Sequence, residues 1–164
     1  MSRLLRTIRF DASDQRVFPL AAEAGEWAVP GGFAFAGADE EQLDGKLLQA
    51  WRCGFLGLGS FGWSTFARVA TIDALTRRQL VERLARHLLE RYGAPDLQAA
   101  ASAAEEEIGF AESLCDLPPD SVLRLSRTRN AQGQLKESFA VVRVPGGLRH
   151  DKVWEGIEQD GEEC

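Results

Sequence analysis

The sequence predicts an α+β domain: a mostly antiparallel sheet covered by about three helices, two of them an antiparallel pair. Three observations carry this. Strand-like segments lie at both ends of residues 4–144. Two amphipathic helical runs follow each other directly between those ends. The order of strands, helix, strand, two helices and hairpin lacks the βαβ alternation that a parallel sheet requires.

Residues 4–10 read as the first strand, and Asp11-Ala-Ser-Asp14 supplies turn chemistry after it. Residues 16–20 are expected to return as its hairpin partner, before a loop over 21–26. Residues 27–29 and 33–35 read as short extended pieces around the turn signal Pro30-Gly31-Gly32. Residues 39–53 read as the first helix, with Asp39 as cap and Gln42 at capping-box spacing. Leu43, Leu47, Ala50 and Trp51 fall on one face, and Gly54 stands where a left-handed residue ends a helix. After a glycine- and aromatic-rich segment, residues 63–72 alternate only weakly, as a central strand does.

Residues 73–92 carry the clearest helical period, with Leu80, Val81, Leu84, Leu88 and Tyr92 as the buried stripe. Arg78, Glu82, Arg86 and Glu90 stand four apart with alternating sign, a ladder of ion pairs on the outer face. Gly93 ends this helix and Pro95 begins the next. There Leu97, Ala101, Ala104, Ile108, Ala111 and Cys115 recur at spacings of four and three, the seam of two packed helices. Leu117-Pro-Pro-Asp120 terminates it. Residues 121–129 and 134–144 are two strands around the hairpin loop Asn130-Ala-Gln-Gly133.

The chain of 164 residues is 45% apolar with a net charge of −6, which describes one soluble globular domain, expected over residues 1–147. A domain of that size buries roughly 70% of its unfolded surface and needs no disulfide or metal for stability. Five acids in the last ten residues mark 148–164 as a solvated, partly disordered tail. Cys53, Cys115 and Cys164 are too few and scattered for a disulfide framework, which suits a reducing cytoplasm, the expected location. No apolar run of about 18 residues is present, so no membrane is expected as a partner. Residues 1–10 lack the apolar core of a signal peptide. A pI near 5.0 argues against nucleic acid, because counterion release needs a basic face.

Six features invite a chemical reading. Gly57-Leu-Gly59-Ser-Phe-Gly62 is a literal G-x-G-x-x-G, but the phosphate-binding version needs a strand before it and a helix after it. Here a helix is expected before and a strand after. The blander reading is a tight loop whose Phe55, Leu58 and Phe61 fill the core. Eight aromatic residues fall between Trp27 and Phe66, and they either form the core or line an apolar pocket. If a ligand binds, its wall is expected at Gly57, Gly59, Phe61, Trp63, Ser64 and Thr65. Glu105-Glu106-Glu107 with Glu112 lack the Glu-x-x-His spacing of a helical metal site and read as a solvated face, so no metal and no cofactor is expected.

Cys115 falls on the buried seam, Cys53 ends a helix and Cys164 follows two glutamates, settings that disfavour a thiolate. His87 has Arg83, Arg86 and Arg91 near it in the helix, which depresses its pKa, and no acid is placed to orient it as a base. No catalytic residue is assigned. Arg127 and Arg129 share a strand face, and with Arg124 they form a candidate anion grip; the blander account is a charged sheet edge, or pairing with Glu137.

Gly25-Glu-Trp-Ala-Val29, Gly54-Phe-Leu-Gly57, Ser60-Phe-Gly-Trp-Ser-Thr65, Tyr92-Gly-Ala-Pro-Asp96 and Ala104-Glu-Glu-Glu107 with Ser113-Leu-Cys115 resemble an uncharacterised family of small proteobacterial proteins. The resemblance covers about residues 3–144. It implies no activity and no catalytic residues. It implies at most an accessory role in enzyme maturation, in the company of biotin/lipoate-ligase-like proteins and molybdoenzyme maturation factors. The expectation is therefore a non-catalytic cytoplasmic accessory protein that binds another protein, or itself as a homo-oligomer, and assists maturation of a redox enzyme. The alternative is a small-molecule or cofactor binder, or a small enzyme, using residues 54–65.

Overall fold

The computed structural model describes residues 2–9, 16–35 and 43–145. Seven strands form one sheet: β1 (Ser2–Ile8), β2 (Trp27–Val29), β3 (Phe55–Gly57), β4 (Trp63–Ser64), β5 (Phe66–Ile72), β6 (Val122–Arg129) and β7 (Leu135–Arg143). Their order is β4-β3-β2-β1-β5-β6-β7, and every neighbouring pair is antiparallel. Among the described residues the long helices are α1 (Gly45–Cys53), which packs on β6, α2 (Ala74–Arg91), which packs on α3, and α3 (Leu97–Ser113), which packs on β1 and β2. The α+β class and the helix pair are as the sequence predicts.

β1 is the central strand. Leu4 and Leu5 are both 0% exposed, and successive side chains point to opposite faces, so both faces of β1 are covered. It runs beside β5 over seven residue pairs, from Ser2 with Ile72 to Ile8 with Phe66. Its expected partner at 16–20 is not a strand: Arg16 and Val17 are helical and residues 18–20 bend. Phe18 is buried instead, and Ala21 makes a lone parallel bridge to Trp63. The hydroxyl of Thr7 donates to the Glu23 carbonyl at 2.5 Å and accepts from the Glu26 amide at 3.0 Å. The chain thus turns at Gly25, at φ +84°, and β2 takes the place beside β1 that residues 16–20 were expected to fill.

Three boundaries differ from expectation. Residues 32–35 form one 3-10 turn and not a strand. α1 begins at Gly45 behind Asp44; Asp39 and Gln42 lie outside the described residues, as do Phe10, residues 11–14, residues 148–164 and Cys164. Gly54 is extended (φ −88°, ψ 130°) because β3 starts at the next residue.

The helix pair follows its caps. Asp73 Oδ1 accepts from the Thr76 amide at 2.7 Å, and these bonds hold its carboxyl below the usual range. Asp96 Oδ1 accepts from the Ala99 amide at 2.8 Å. Between the helices Gly93 adopts φ +73°, the left-handed turn that lets α3 fold back on α2. Pro95 precedes the Asp96 cap and so stands outside the helix.

Leu80, Leu84 and Leu88 are buried on α2, each leucine contributing about 1.5–3 kcal/mol, while Tyr92 is 45% exposed. The buried seam of α3 is Ala100, Ala104, Ile108 and Ala111, continued by Cys115. Leu97 is 60% exposed and Ala101 only partly buried. The seam from Ala104 to Cys115 is as the sequence predicts, and only its first turn differs, with Ala100 buried in place of Leu97 and Ala101. Arg77 closes the pair, forking onto Glu112 at 2.8 and 2.9 Å and reaching Glu105 at 2.7 Å. The expected ladder of Arg78, Glu82, Arg86 and Glu90 forms no ion pair within the described residues.

The β6–β7 hairpin turns at residues 130–133 as expected, with the Asn130 side-chain oxygen accepting from the amides of Gln132 and Gln134.

Candidate functional site

The glycine segment is a hairpin. β3 and β4 are joined by residues 58–62 and closed by the Gly57 amide donating to the Gly62 carbonyl at 2.8 Å. A strand and no helix follows, so the dinucleotide geometry is absent. The loop's N–H groups nevertheless bind an anion, and that anion is the carboxylate of Glu26. Its Oε1 accepts from the amides of Gly59 (2.9 Å) and Ser60 (2.7 Å). Its Oε2 accepts from the Ser60 hydroxyl (2.7 Å) and the Glu23 amide (2.6 Å). A Cβ at Gly57 would collide with Glu26 Oε1, and one at Gly62 would meet the Ala21 backbone at 2.7 Å. Two of the motif's glycines are thus explained by close approach within the chain. Sequence reasoning quoted Glu26 in a motif and gave it no role.

Across from this hairpin lies α2. Phe61, at φ +59°, stacks on His87 with ring centroids 3.7 Å apart and planes 6° from parallel. Left-handed backbone is uncommon for so bulky a residue and costs of order 1–3 kcal/mol. Arg83 Nη1 donates to the Gly59 carbonyl at 3.2 Å. Two open cavities flank Arg83 and share it with Gln79. One, of about 350 Å³, is lined by Phe61, Glu82, Arg86, His87 and Glu90. The other, of about 460 Å³, is lined by Glu26, Trp27, Leu58, Gly59, Thr76 and Leu80. They lie side by side in a groove along α2, with Gln79 and Arg83 between them and the Arg83–Gly59 bond crossing from the helix to the hairpin. Arg6 stacks over the Trp27 ring at 4.3 Å.

His87 is held below its ordinary pKa, first by burial and then by Arg91, with Glu90 opposing. The sequence reading named the cations and missed the larger effect of burial under Phe61. Burial also pushes the Tyr92 phenol up, and pushes the Cys115 thiol to about 12, so Cys115 behaves as an apolar residue.

The other expected site residues are dispersed. Gly59 and Phe61 line the groove and Gly57 lies under Glu26. Trp63 is in the core, 5.2 Å from Phe35 by ring centroids, and Ser64 is buried with its hydroxyl 2.7 Å from the Phe66 carbonyl. Thr65 links β4 to β5, half-buried. Arg127 is 2% exposed; its Nε pairs with Glu137 at 2.9 Å, and its remaining nitrogens donate to the carbonyls of Ala50, Trp51, Pro30 and Gly54. It ties α1 and β3 to the β6–β7 hairpin. Arg129 donates to Gly133 and Phe35 carbonyls, and Arg124 sits at an even position on the other face of β6. The three arginines do not converge.

Among the acids of α3, Glu105 and Glu112 bind Arg77, and Glu107 is half-buried rather than solvated. Burial and the Glu137 carboxylate push Glu107 up to about 7, against the pull of Arg127. Among the described residues no group of three or more His, Cys, Asp or Glu side chains is placed to hold a metal. Among the described residues no helix is long and apolar enough to cross a membrane.

A family model described as a family of unknown function (DUF6505) matches residues 1–152. No curated protein and no solved structure matches the chain.

Proposed function

Since the chain belongs to that family of unknown function, its role has to be read from its own surface, and we propose that it is a non-catalytic accessory protein that binds a partner protein along the groove. The observation that carries this reading is the groove itself. Two open cavities of about 350 and 460 Å³ meet at Arg83, with aromatic walls from Trp27 and Phe61 and charged groups between them. A surface that mixes half-buried rings with arginine has the composition of protein–protein contact regions. It is held on rigid elements, because Glu26 locks the hairpin and the Asp73 cap and buried leucines fix α2.

The groove runs from Thr76 to Glu90, fourteen residues of helix, or about 21 Å. An extended segment of about six residues covers that length. A role in maturing a redox enzyme rests on the family resemblance alone, and the identity of the partner decides it.

The test is site-specific photocrosslinking in the native host, with the crosslinker at Gln79 in the groove and at Glu106 on the outer face of α3. A protein joined from Gln79 and not from Glu106 is the expected result. No protein joined from Gln79 overturns the reading. The second reading, a small-molecule binder, is favoured by the cavity volumes, which fall in the range of ligand pockets. Native mass spectrometry of the protein from its host distinguishes it by a retained low-mass ligand.

A further inference from the structure

We propose that a basic row on the side of the sheet away from α1 and α3 is a docking surface, and that its occupant is this chain's own acidic C-terminal segment, residues 155–163. The proposal is independent of the groove reading.

The row is set by register. Phe139 touches Phe110 of α3, and Arg127 reaches the Ala50 and Trp51 carbonyls of α1, so those helices lie on the side to which odd positions of β6 point. Even positions of β6 point to the other side. There Arg6 of β1 stands opposite Arg68 of β5, Phe66 opposite Arg124 of β6, and Thr128 opposite Lys136 of β7. The register shift between Val122 and Leu123 brings Arg143 to this side too, because Val122 stands opposite both Arg68 and Arg143. Arg6 is held below its ordinary pKa, first by burial and then by the nearby Arg68 charge.

These five cations are half-buried or exposed. Glu137 is the one acid within the seven strands, and it lies on the helix side with Arg127. From the loop before β6, Asp120 pairs with Arg68 at 3.2 Å. A chain of net charge −6 thus gathers a basic row across β1, β5, β6 and β7. Leu4, Ala70 and Ile72 are buried farther along β1 and β5, which confines the row to the half of the sheet nearer the β6–β7 turn.

Charge and reach identify the occupant. Residues 153–164 contain five acids and no base. The chain leaves the described residues at 145, two positions after Arg143, so it departs from the margin of this same row. Residues 146–155 span up to about 33 Å when extended, whereas β1 lies three strands, or about 14 Å, from β7. A tether of that length gives an effective concentration of order millimolar, so ion pairs that are weak singly act together.

The test uses the full chain. Cys53 and Cys115 are buried, which directs a nitroxide label to Cys164 beside the acids, and mass spectrometry counts the label. At low ionic strength the amide NMR signals of Arg68, Arg124 and Ser138 are expected to lose more than about half their height, and those of Ser102 and Glu106 on α3 much less. The loss is expected to vanish in about 0.5 M salt, where the screening length falls to a few ångströms. It is also expected to vanish when the acids are neutralised as E155Q, E158Q, D160N, E162Q and E163Q. Isotope-enriched chain mixed with nitroxide-labelled, unenriched chain is expected to show none. No loss at the row, equal loss on both sides of the sheet, or loss that survives salt or neutralisation overturns the proposal. Loss in the mixed sample overturns it in favour of the same segment from a second copy.

Discussion

The Phe61 ring lies flat on the His87 imidazole, 3.7 Å between centroids, and it does so from a left-handed backbone. The hairpin tip and α2 are joined through this contact and through Arg83. The strain at Phe61 is offset by what its ring covers.

Removing that ring is expected to free His87. In Phe61→Gly the backbone strain is relieved while the imidazole gains solvent, so the His87 pKa rises toward its ordinary value. An NMR titration of the His87 ring protons reads this directly. The sign for stability follows from the lowered value in the folded chain. Below about pH 6.5 the unfolded chain binds the extra proton. The His87 contribution is therefore present above pH 6.5 and is lost as pH falls through and below it. His87→Gln is expected to flatten that part of the stability profile in urea denaturation.

Glu107 has the opposite sign. Its folded value of about 7 lies above that of an unfolded glutamate, so the folded chain holds the extra proton between roughly pH 4.5 and 7. Stability from this group falls as pH rises through that window. Glu107→Gln is expected to leave the melting temperature near pH 4.5 almost unchanged and to raise it above pH 7. A variant that lowers it at both ends would contradict the assignment.

Arg127→Met is expected to cost about 3–5 kcal/mol, because it strands the Glu137 carboxylate and four buried carbonyls. Arg127→Lys is expected to recover only a minor part, since one ammonium cannot span the same fork of acceptors. Equilibrium denaturation of the two variants checks both statements.

The Glu26 cradle predicts coupling. Gly57→Ala is expected to destabilise because its Cβ meets Glu26 Oε1, and Glu26→Ala because the amides of Gly59 and Ser60 lose their acceptor. Together they are expected to cost less than the sum, by about 1 kcal/mol in a double-mutant cycle. Additive effects would separate Gly57 from Glu26.

Local chemistry made much of the fold legible. Asp73 and Asp96 cap their helices, Gly93 turns between them, and Asn130 closes its hairpin, each through bonds within four residues. Long-range choices were not legible. Residues 16–20 are as apolar as a short strand, but Thr7 binds the 23–26 turn and gives the place beside β1 to Trp27–Val29. The α3 seam was legible from Ala104 onward, and only its first turn was not, because Ala100 and Ala101 are alike in sequence and the packing alone decides which is buried. The glycine loop was found and its neighbours were not. That Glu26 fills it, and that α2 faces it, depends on contacts 24 to 34 residues apart. The surface charges of α2 drew attention as a ladder, whereas Glu82, Arg86 and Glu90 line one cavity and form no ion pair among the described residues.

Of the seven strands of the sheet β1 comes first along the chain, and it ends up in the middle. Ser2 waits seventy residues for Ile72, and β2 offers β1 only a short pairing at Leu5 and Arg6 before β5 and the helix over Leu97–Ser113 have been synthesised. Folding around this strand is necessarily non-local, and slow closure of that kind leaves apolar surface open to aggregation. A nascent chain stalled before residue 66 lacks the longest pairing of its central strand.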